Sequence, residues 1–288
     1  MPLLSTVTIN KKPGFRNIIS GISGSTLTLQ LLEIAKEQNS PIVLLANSVA
    51  ELNEVEDELS FLNSSNLPVL RFSDWETLAY DAFSPHQDII SQRLETLAQL
   101  KDQKSAIILT TISASAVRLC PRSHIDSQRF KLSEGQTVSL ESLCSQLISG
   151  GYNNVQSVRE HGEFSIRGAL MDVFPMGADQ PIRIDWFDNE IDTLRWFDPE
   201  TQLSSGKLSS IQLLPAREFP ITKEGIQLFR QKWRERFENA PLSSPFYQDI
   251  SNGIIPTGIE YYLPLFLTKH KASLTTYLKI HYSPKQEP

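Results

Sequence analysis

The chain is poor in cysteine and has no long apolar run. Its 288 residues include two cysteines, Cys120 and Cys144, in the unlike contexts RLCP and SLCS. There is no CxxC pair and no histidine at ligand spacing, which argues against a disulfide framework or a zinc site. Two buried, reduced thiols are expected. No stretch approaches the roughly 20 apolar residues of a membrane span, and the start MPLLSTVTINKKPGF lacks a basic region followed by an apolar one. A cytoplasmic protein with no membrane partner is the expectation. Positive charge is also scarce. With 27 Lys and Arg against 33 Asp and Glu, the net charge of -6 gives no electrostatic footprint for nucleic acid. The histidines, His86, His124, His161, His270 and His281, lie far apart, none beside a Ser or Cys nucleophile motif, and the acidic residues show no metal-loop spacing. Catalytic residues, a bound metal and a cofactor are all unexpected.

The composition, 40% hydrophobic and 21% charged, is that of a folded globular protein with length for about two domains. From Arg16 to Leu119, short apolar runs (Asn17 to Ser20, Pro41 to Ala46, Leu67 to Phe72, Ala106 to Thr110) alternate with helix-period segments. One of these places Leu52, Val55, Leu59 and Leu62 on a single stripe. Strands separated by helices predict an α/β domain with a parallel sheet. Next, Ser139 is a helix cap and Gly150 a stop. From Gly151 to Leu214 the texture becomes alternating strands with turns at HGE, MGAD, DNE and DPE, predicting a mainly antiparallel sheet. After Pro220, Ile226, Phe229, Trp233 and Phe237 fall on one buried helix face, and a polar tail ends the chain. The expected organisation is an α/β domain over 1–125, a β domain over 126–215, and a return to the first over 216–288.

The first apolar run leads into Gly21-Ile22-Ser23-Gly24-Ser25-Thr26-Leu27-Thr28 and then a helix, where a phosphate-binding loop would sit. A working P-loop reads GxxxxGK[ST]: glycine lets the backbone approach phosphate, Lys reaches the β and γ oxygens, and the hydroxyl holds magnesium. Gly21 and Thr28 fit that register, but Thr26 stands at the second glycine and Leu27 at the lysine. Leucine cannot neutralise phosphate, and a β-branched residue resists the positive φ that glycine supplies. The loop is therefore expected to be a degenerate P-loop without hydrolysis, retaining at most some anion affinity at the helix N-terminus.

In Ile182-Arg183-Ile184-Asp185-Trp186-Phe187 the side chains alternate, so Ile182, Ile184 and Trp186 share one face and Arg183, Asp185 and Phe187 the other. With the first face as core, Phe187 is outside. A turn at Asp188 to Glu190 makes a hairpin, and the next run places Leu194 and Trp196 inward, Arg195 and Phe197 outward. An Arg beside an exposed aromatic is the composition of a protein-binding hot spot; the competing reading is a second apolar layer over that face. Between Gly151 and Glu200 there are four Arg, no Lys and ten acidic residues, a balance that suits a basic partner surface.

Several stretches together carry a family resemblance. They are Asp74-Trp75-Glu76-Thr77-Leu78, Phe83-Ser84-Pro85-His86-Gln87-Asp88, Arg93-Leu94, Gly162-Glu163-Phe164, Arg167-Gly168-Ala169-Leu170, Asp172, Phe174-Pro175-Met176-Gly177, Leu213-Leu214-Pro215-Ala216, Glu218-Phe219-Pro220 and Gly258-Ile259-Glu260-Tyr261-Tyr262-Leu263-Pro264. In this order they resemble the N-terminal, UvrB-like region of bacterial transcription-repair coupling factors, the Mfd family. The resemblance implies a degenerate, helicase-lobe-like ATPase domain with an inserted UvrA-binding domain, acting in transcription-coupled nucleotide excision repair. It implies UvrA contacts at Arg167, Arg183 and Phe187. RNA polymerase and DNA would be engaged only through further domains that 288 residues cannot hold, so a truncated chain without the motor is expected. Two alternatives stand beside this: an active P-loop ATPase or helicase fragment, which needs a lysine at Leu27, and a UvrB-like damaged-DNA binder, which needs a long aromatic hairpin where only about seven residues separate Tyr80 from Asp88.

Overall fold

The computed structural model describes residues 15, 17–22, 24–38, 40–79, 81–100, 103–237, 244–267 and 274. They group into two compact units, one drawn from 1–74, 99–117 and 271–288, the other from 75–98 and 118–270.

The first unit holds helix α1 (Thr26–Glu37), strand β1 (Ile42–Ala46), helix α2 (Val49–Leu62), strand β2 (Val69–Phe72), strand β3 (Ile107–Thr111) and the short helix α4 (Ile112–Ala116). The strands form a parallel sheet of order β1-β3-β2. Parallel strands need a crossover, and α2 supplies the one between β1 and β2, which flank β3. Its Leu52, Val55 and Leu59 are buried, as their spacing predicts, against Leu31, Leu32 and Ala35 of α1 and Ile107 and Leu109 of β3. Ser48 starts the helix by accepting the Glu51 N–H at 3.2 Å, and the Glu51 carboxylate reaches back to the Asn47 N–H at 2.9 Å. The strand expected over Asn17 to Ser20 is not formed. Those residues are exposed, Ile18 at 81%, and pair with no strand among the described residues.

The second unit begins with helix α3 (Gln87–Gln99, counted here to Ala98), followed by α5 (Arg122–Gln128), β4 (Phe130–Ser133) and α6 (Leu140–Ser149). Ser139 caps α6 by accepting the Ser142 N–H, and Gly150 ends it. A six-stranded sheet follows, built from β5 (Asn153–Asn154), β6 (Glu163–Arg167), β7 (Leu170–Val173), β8 (Ile182–Phe187), β9 (Glu190–Phe197) and β10 (Ser204–Leu208), in the order β10-β9-β8-β7-β6-β5. Every pair is antiparallel except the two-residue β5–β6 contact. Strand β11 (Ser210–Leu213) then pairs antiparallel with β4, setting Leu213 opposite Phe130.

Helix α7 (Lys223–Arg236), helix α8 (Pro245–Ser251) and a 3-10 helix over Ile259–Phe266 complete this unit. Phe229 and Trp233 of α7 are buried, as the periodicity predicts, and Phe229 stacks on Phe266 with centroids 4.9 Å apart. Phe237, expected on the same buried face, lies beyond the last helical turn and is partly exposed. Thr222 caps α7 by accepting the Gly225 N–H at 3.1 Å. Any side chain at Gly225 meets the segment leading into the helix, because a Cβ there would lie 2.3 Å from the Pro220 carbonyl oxygen. Gly225→Ala is therefore expected to destabilise the chain by about 1–3 kcal/mol despite the better helix propensity of alanine. Urea unfolding checks this; an unchanged or raised midpoint would show that the Pro220 segment gives way freely.

Candidate protein-binding site

The site is the outer face of the six-stranded sheet. Residues of β8 are alternately buried and accessible. Ile182, Ile184 and Trp186 are covered, and the Trp186 indole donates to the Val138 carbonyl at 2.9 Å, while Phe187 is 75% exposed. The hairpin turns at Asp188, whose φ of 54° is one that Asp tolerates better than most residues.

Strand β9 departs from simple alternation. Asp185 pairs with Thr193 but Trp186 with Ile191, so Asp192 is an extra, bulged residue. Ile191 and Leu194 both remain in the core across the bulge. Phe197 lies on the Arg183 face, as alternation places it, yet it is fully buried, in a cluster with Val158 and Phe174 against which Val155 packs. Trp196, expected inward, is only half-buried. A second apolar layer therefore covers one end of the face and leaves the Phe187 end open.

Register places Ser165, Asp172, Arg183, Arg195 and Lys207 in one row across the face, and Arg167, Leu170, Asp185 and Thr193 in the next. Asp172 organises both rows. Its side chain is 1% exposed and accepts Arg183 Nε on Oδ1 at 2.7 Å and Arg183 Nη2 on Oδ2 at 3.0 Å. Arg167 Nη2 donates to the same Oδ2. Hydrogen bonds from Arg183 to Asp172 push the guanidinium pKa above its already high ordinary value. Arg183 Nη1 donates to the Gln202 carbonyl and to Ser204 Oγ, each at 3.2 Å, and the Arg183 Cζ lies 4.9 Å from the Phe197 ring centroid. Two of the three expected contact residues thus meet at one carboxylate, with Phe187 farther along β8. Sequence reasoning gave Asp172 no role, although a carboxylate between Met171 and Val173 in a strand interior is itself a signal, since Asp is depleted there.

The local acidity does not describe this face. Arg167, Arg183, Arg195 and Lys207 share it with Glu163, Asp172, Asp185 and, opposite Phe187, Glu190, and Asp172 is spent on the arginines. A face of guanidinium groups with an exposed ring suits carboxylates or carbonyls beside an apolar pocket.

The glycine-containing loop lies in the first unit. Gly21 and Gly24 have φ of 78° and 54°, and α1 starts at Thr26. No described strand precedes the loop; β1 follows α1 instead. Leu27 packs against the core of its unit. Ser25 Oγ donates to Glu58 Oε1 at 2.7 Å, and the Thr28 hydroxyl donates to Glu58 Oε2. Those hydrogen bonds, Thr28 first and then Ser25, lower the Glu58 pKa and keep it ionised. The helix N-terminus where anion affinity was expected to survive already faces a carboxylate.

The histidines within the described residues have structural or surface roles. His124 Nε2 lies 3.0 Å from the Arg217 carbonyl, and burial lowers its pKa. His161 bridges Asp88 and the Ala178 carbonyl at 2.7 and 2.8 Å. His86 is exposed, while His270 and His281 lie outside the described residues. Cys120 is buried and Cys144 only partly so, which corrects the expectation for the latter. Among the described residues no group of three or more His, Cys, Asp or Glu is placed to hold a metal ion, and no helix is long and apolar enough to cross a membrane.

Residues 130–219, which take in the whole six-stranded sheet and its β4–β11 base, match the family described as the UvrB interaction domain. The chain also has relatives among the transcription-repair-coupling factors. It is 40% identical over 277 residues to the transcription-repair-coupling factor of Escherichia coli (strain K12), covering 96% of this chain and 24% of that protein. The corresponding protein of Haemophilus influenzae is 40% identical over 271 residues, 94% of this chain and 23% of that protein. That of Bacillus subtilis (strain 168) is 30% identical over 207 residues, 72% and 18%. The chain thus matches, over nearly its whole length, part of the transcription-repair-coupling factors, with a UvrB interaction domain at 130–219, and it spans about a quarter of the length of the first two relatives.

Proposed function

We propose that this chain is the UvrA-binding module of a transcription-repair-coupling factor and recruits UvrA in transcription-coupled nucleotide excision repair. The observation that carries the reading is the sheet face whose open end exposes Phe187, on the same face as Arg167 and Arg183 and within the segment matching the UvrB interaction domain. Arg167, Arg183 and Phe187 form the UvrA-binding set. RNA polymerase and DNA are engaged by other regions of the full-length relatives. Residues 126–215 are read as a domain inserted between 1–125 and 216–288, because the β4–β11 pairing brings the start and finish of the segment side by side, while 75–98 and helices α7 and α8 group in the same compact unit as the segment. Capture of purified UvrA by the immobilised chain tests the function; no UvrA retained at micromolar concentration would reject it.

We also propose that the Gly21–Thr28 segment is a degenerate P-loop and that the chain has no ATPase activity of its own. Leu27 brings no charge, and Glu58 opposes phosphate where Gly24, Ser25 and Thr26 would otherwise receive it. A ligand present at 100 times its Kd stabilises a protein by about 2.7 kcal/mol, so binding would be plain in thermal unfolding. Millimolar magnesium ATP is expected to leave the Tm unchanged. A shift of several degrees, or phosphate release above background, would overturn this.

A further inference from the structure

We infer that Asp172 and Arg183 are positioning residues, and that Arg167 and Phe187 make the direct contact with the partner. This deepens the proposed UvrA-binding function and rests on it. A guanidinium carries five N–H donors. In Arg183, Nε and Nη2 each donate one to Asp172, and Nη1 donates to Gln202 and to Ser204. Four of the five are thereby directed inward or along the sheet. The side chain is 15% exposed and its Cζ lies over the Phe197 ring. Such a group has little left to offer a partner.

Arg167 is the opposite case. Its side chain is 52% exposed, and its described contact is one Nη2 donating to Asp172. Asp172 tethers it by one corner and leaves the rest of the fork facing outward, where it can grip a carboxylate or a pair of carbonyl groups. Arg183 fills the remaining seats on Asp172. Without Arg183 the buried carboxylate lacks half its cationic partners, and Arg167 is the cation in reach to satisfy it. Arg167 would then turn inward and leave the contact surface. Arg183 therefore acts on binding through Asp172 and Arg167.

A double-mutant cycle on the full 288-residue chain, read as Kd for UvrA, tests this. Arg167→Ala and Arg183→Ala are each expected to weaken binding about 10- to 30-fold, reaching the hot-spot range at the upper end. The double variant is expected to be no more than about twofold weaker than Arg167→Ala, because residues acting as one unit are not additive. Asp172→Asn runs a parallel cycle with a side chain of the same shape; it should weaken binding in the wild-type background and have little effect in the Arg167→Ala background. Arg183→Lys should not rescue, since one ammonium cannot satisfy both carboxylate oxygens together with Gln202 and Ser204. Thermal unfolding confirms that each variant is folded at the assay temperature, and the Asp172→Asn cycle carries the test if Arg183→Ala is not. If the two losses multiply to about 100-fold or more, Arg183 makes its own contact and the inference fails, as it also does if Asp172→Asn binds like wild type. If Phe187→Ala and Arg167→Ala both bind normally, the proposed surface itself is wrong.

Discussion

Replacing Arg93 with alanine is expected to cost the second unit about 3–5 kcal/mol, the range for removing one partner of a buried ion pair. Arg93 and Glu218 are 0% and 1% exposed. Arg93 Nε donates to Glu218 Oε1 at 2.5 Å and Nη2 to Oε2 at 3.2 Å, while the guanidinium carbon lies 4.9 Å from the Trp75 ring centroid. Loss of the arginine strands a carboxylate in a dry site and removes the cation from the indole face. The net worth of the pair is a separate matter, because much of its attraction only offsets the desolvation of two charges. Arg93→Met combined with Glu218→Gln should therefore recover a large part of the loss. Urea unfolding of the two single variants and the double variant measures both quantities. Single variants as stable as wild type would mean that water reaches the pair and screens it.

Phe187→Ala should behave in the opposite way. At 75% exposure the ring contributes little to the fold, so stability is expected to stay within about 0.5 kcal/mol of wild type. Affinity for UvrA should fall by about 2 kcal/mol or more, the scale of an aromatic anchor. Its neighbour Trp186 provides the internal control. That side chain is buried and its indole is hydrogen-bonded to Val138, so Trp186→Ala should cost about 3–5 kcal/mol of stability. Calorimetric titration with UvrA, beside thermal unfolding of each variant, separates the two effects. Full-strength binding by Phe187→Ala would remove the ring from the interface.

The facing of β8 was legible in the sequence because one buried face forces a period of two, and Ile182, Ile184 and Trp186 keep it without interruption. The same logic put Phe197 and Trp196 on the right faces but missed how far each is buried, for non-local reasons. The cover over Phe197 comes from Val155, Val158 and Phe174, far away in sequence, and the bulge at Asp192 has no composition signal. Leu27 was legible as a missing lysine but not as a core residue. Glu58, some thirty residues beyond Ser25 and Thr28, could not be paired with them from spacing. A net charge count over fifty residues averaged the two faces of a sheet and so missed that the arginines share one. The Asn17 to Ser20 run shows the converse, since an apolar pair beside a glycine turn has strand character only when a sheet edge is there to receive it.

The β4–β11 pair also governs how the inserted segment responds to tension. The chain enters at Phe130 and leaves at Leu213, and these two residues face each other at the same end of the ladder. Force applied through the flanking chain would first load the His124–Arg217, Ala216–Gly150 and Tyr152–Leu214 hydrogen bonds and then open the ladder one rung at a time, as a zipper opens, instead of shearing all its bonds at once. The six-stranded sheet lies beyond that seam, and none of its own ladder bonds are in the first line of load. A pull along the backbone would release the segment while Phe187 and the arginine pair keep their arrangement.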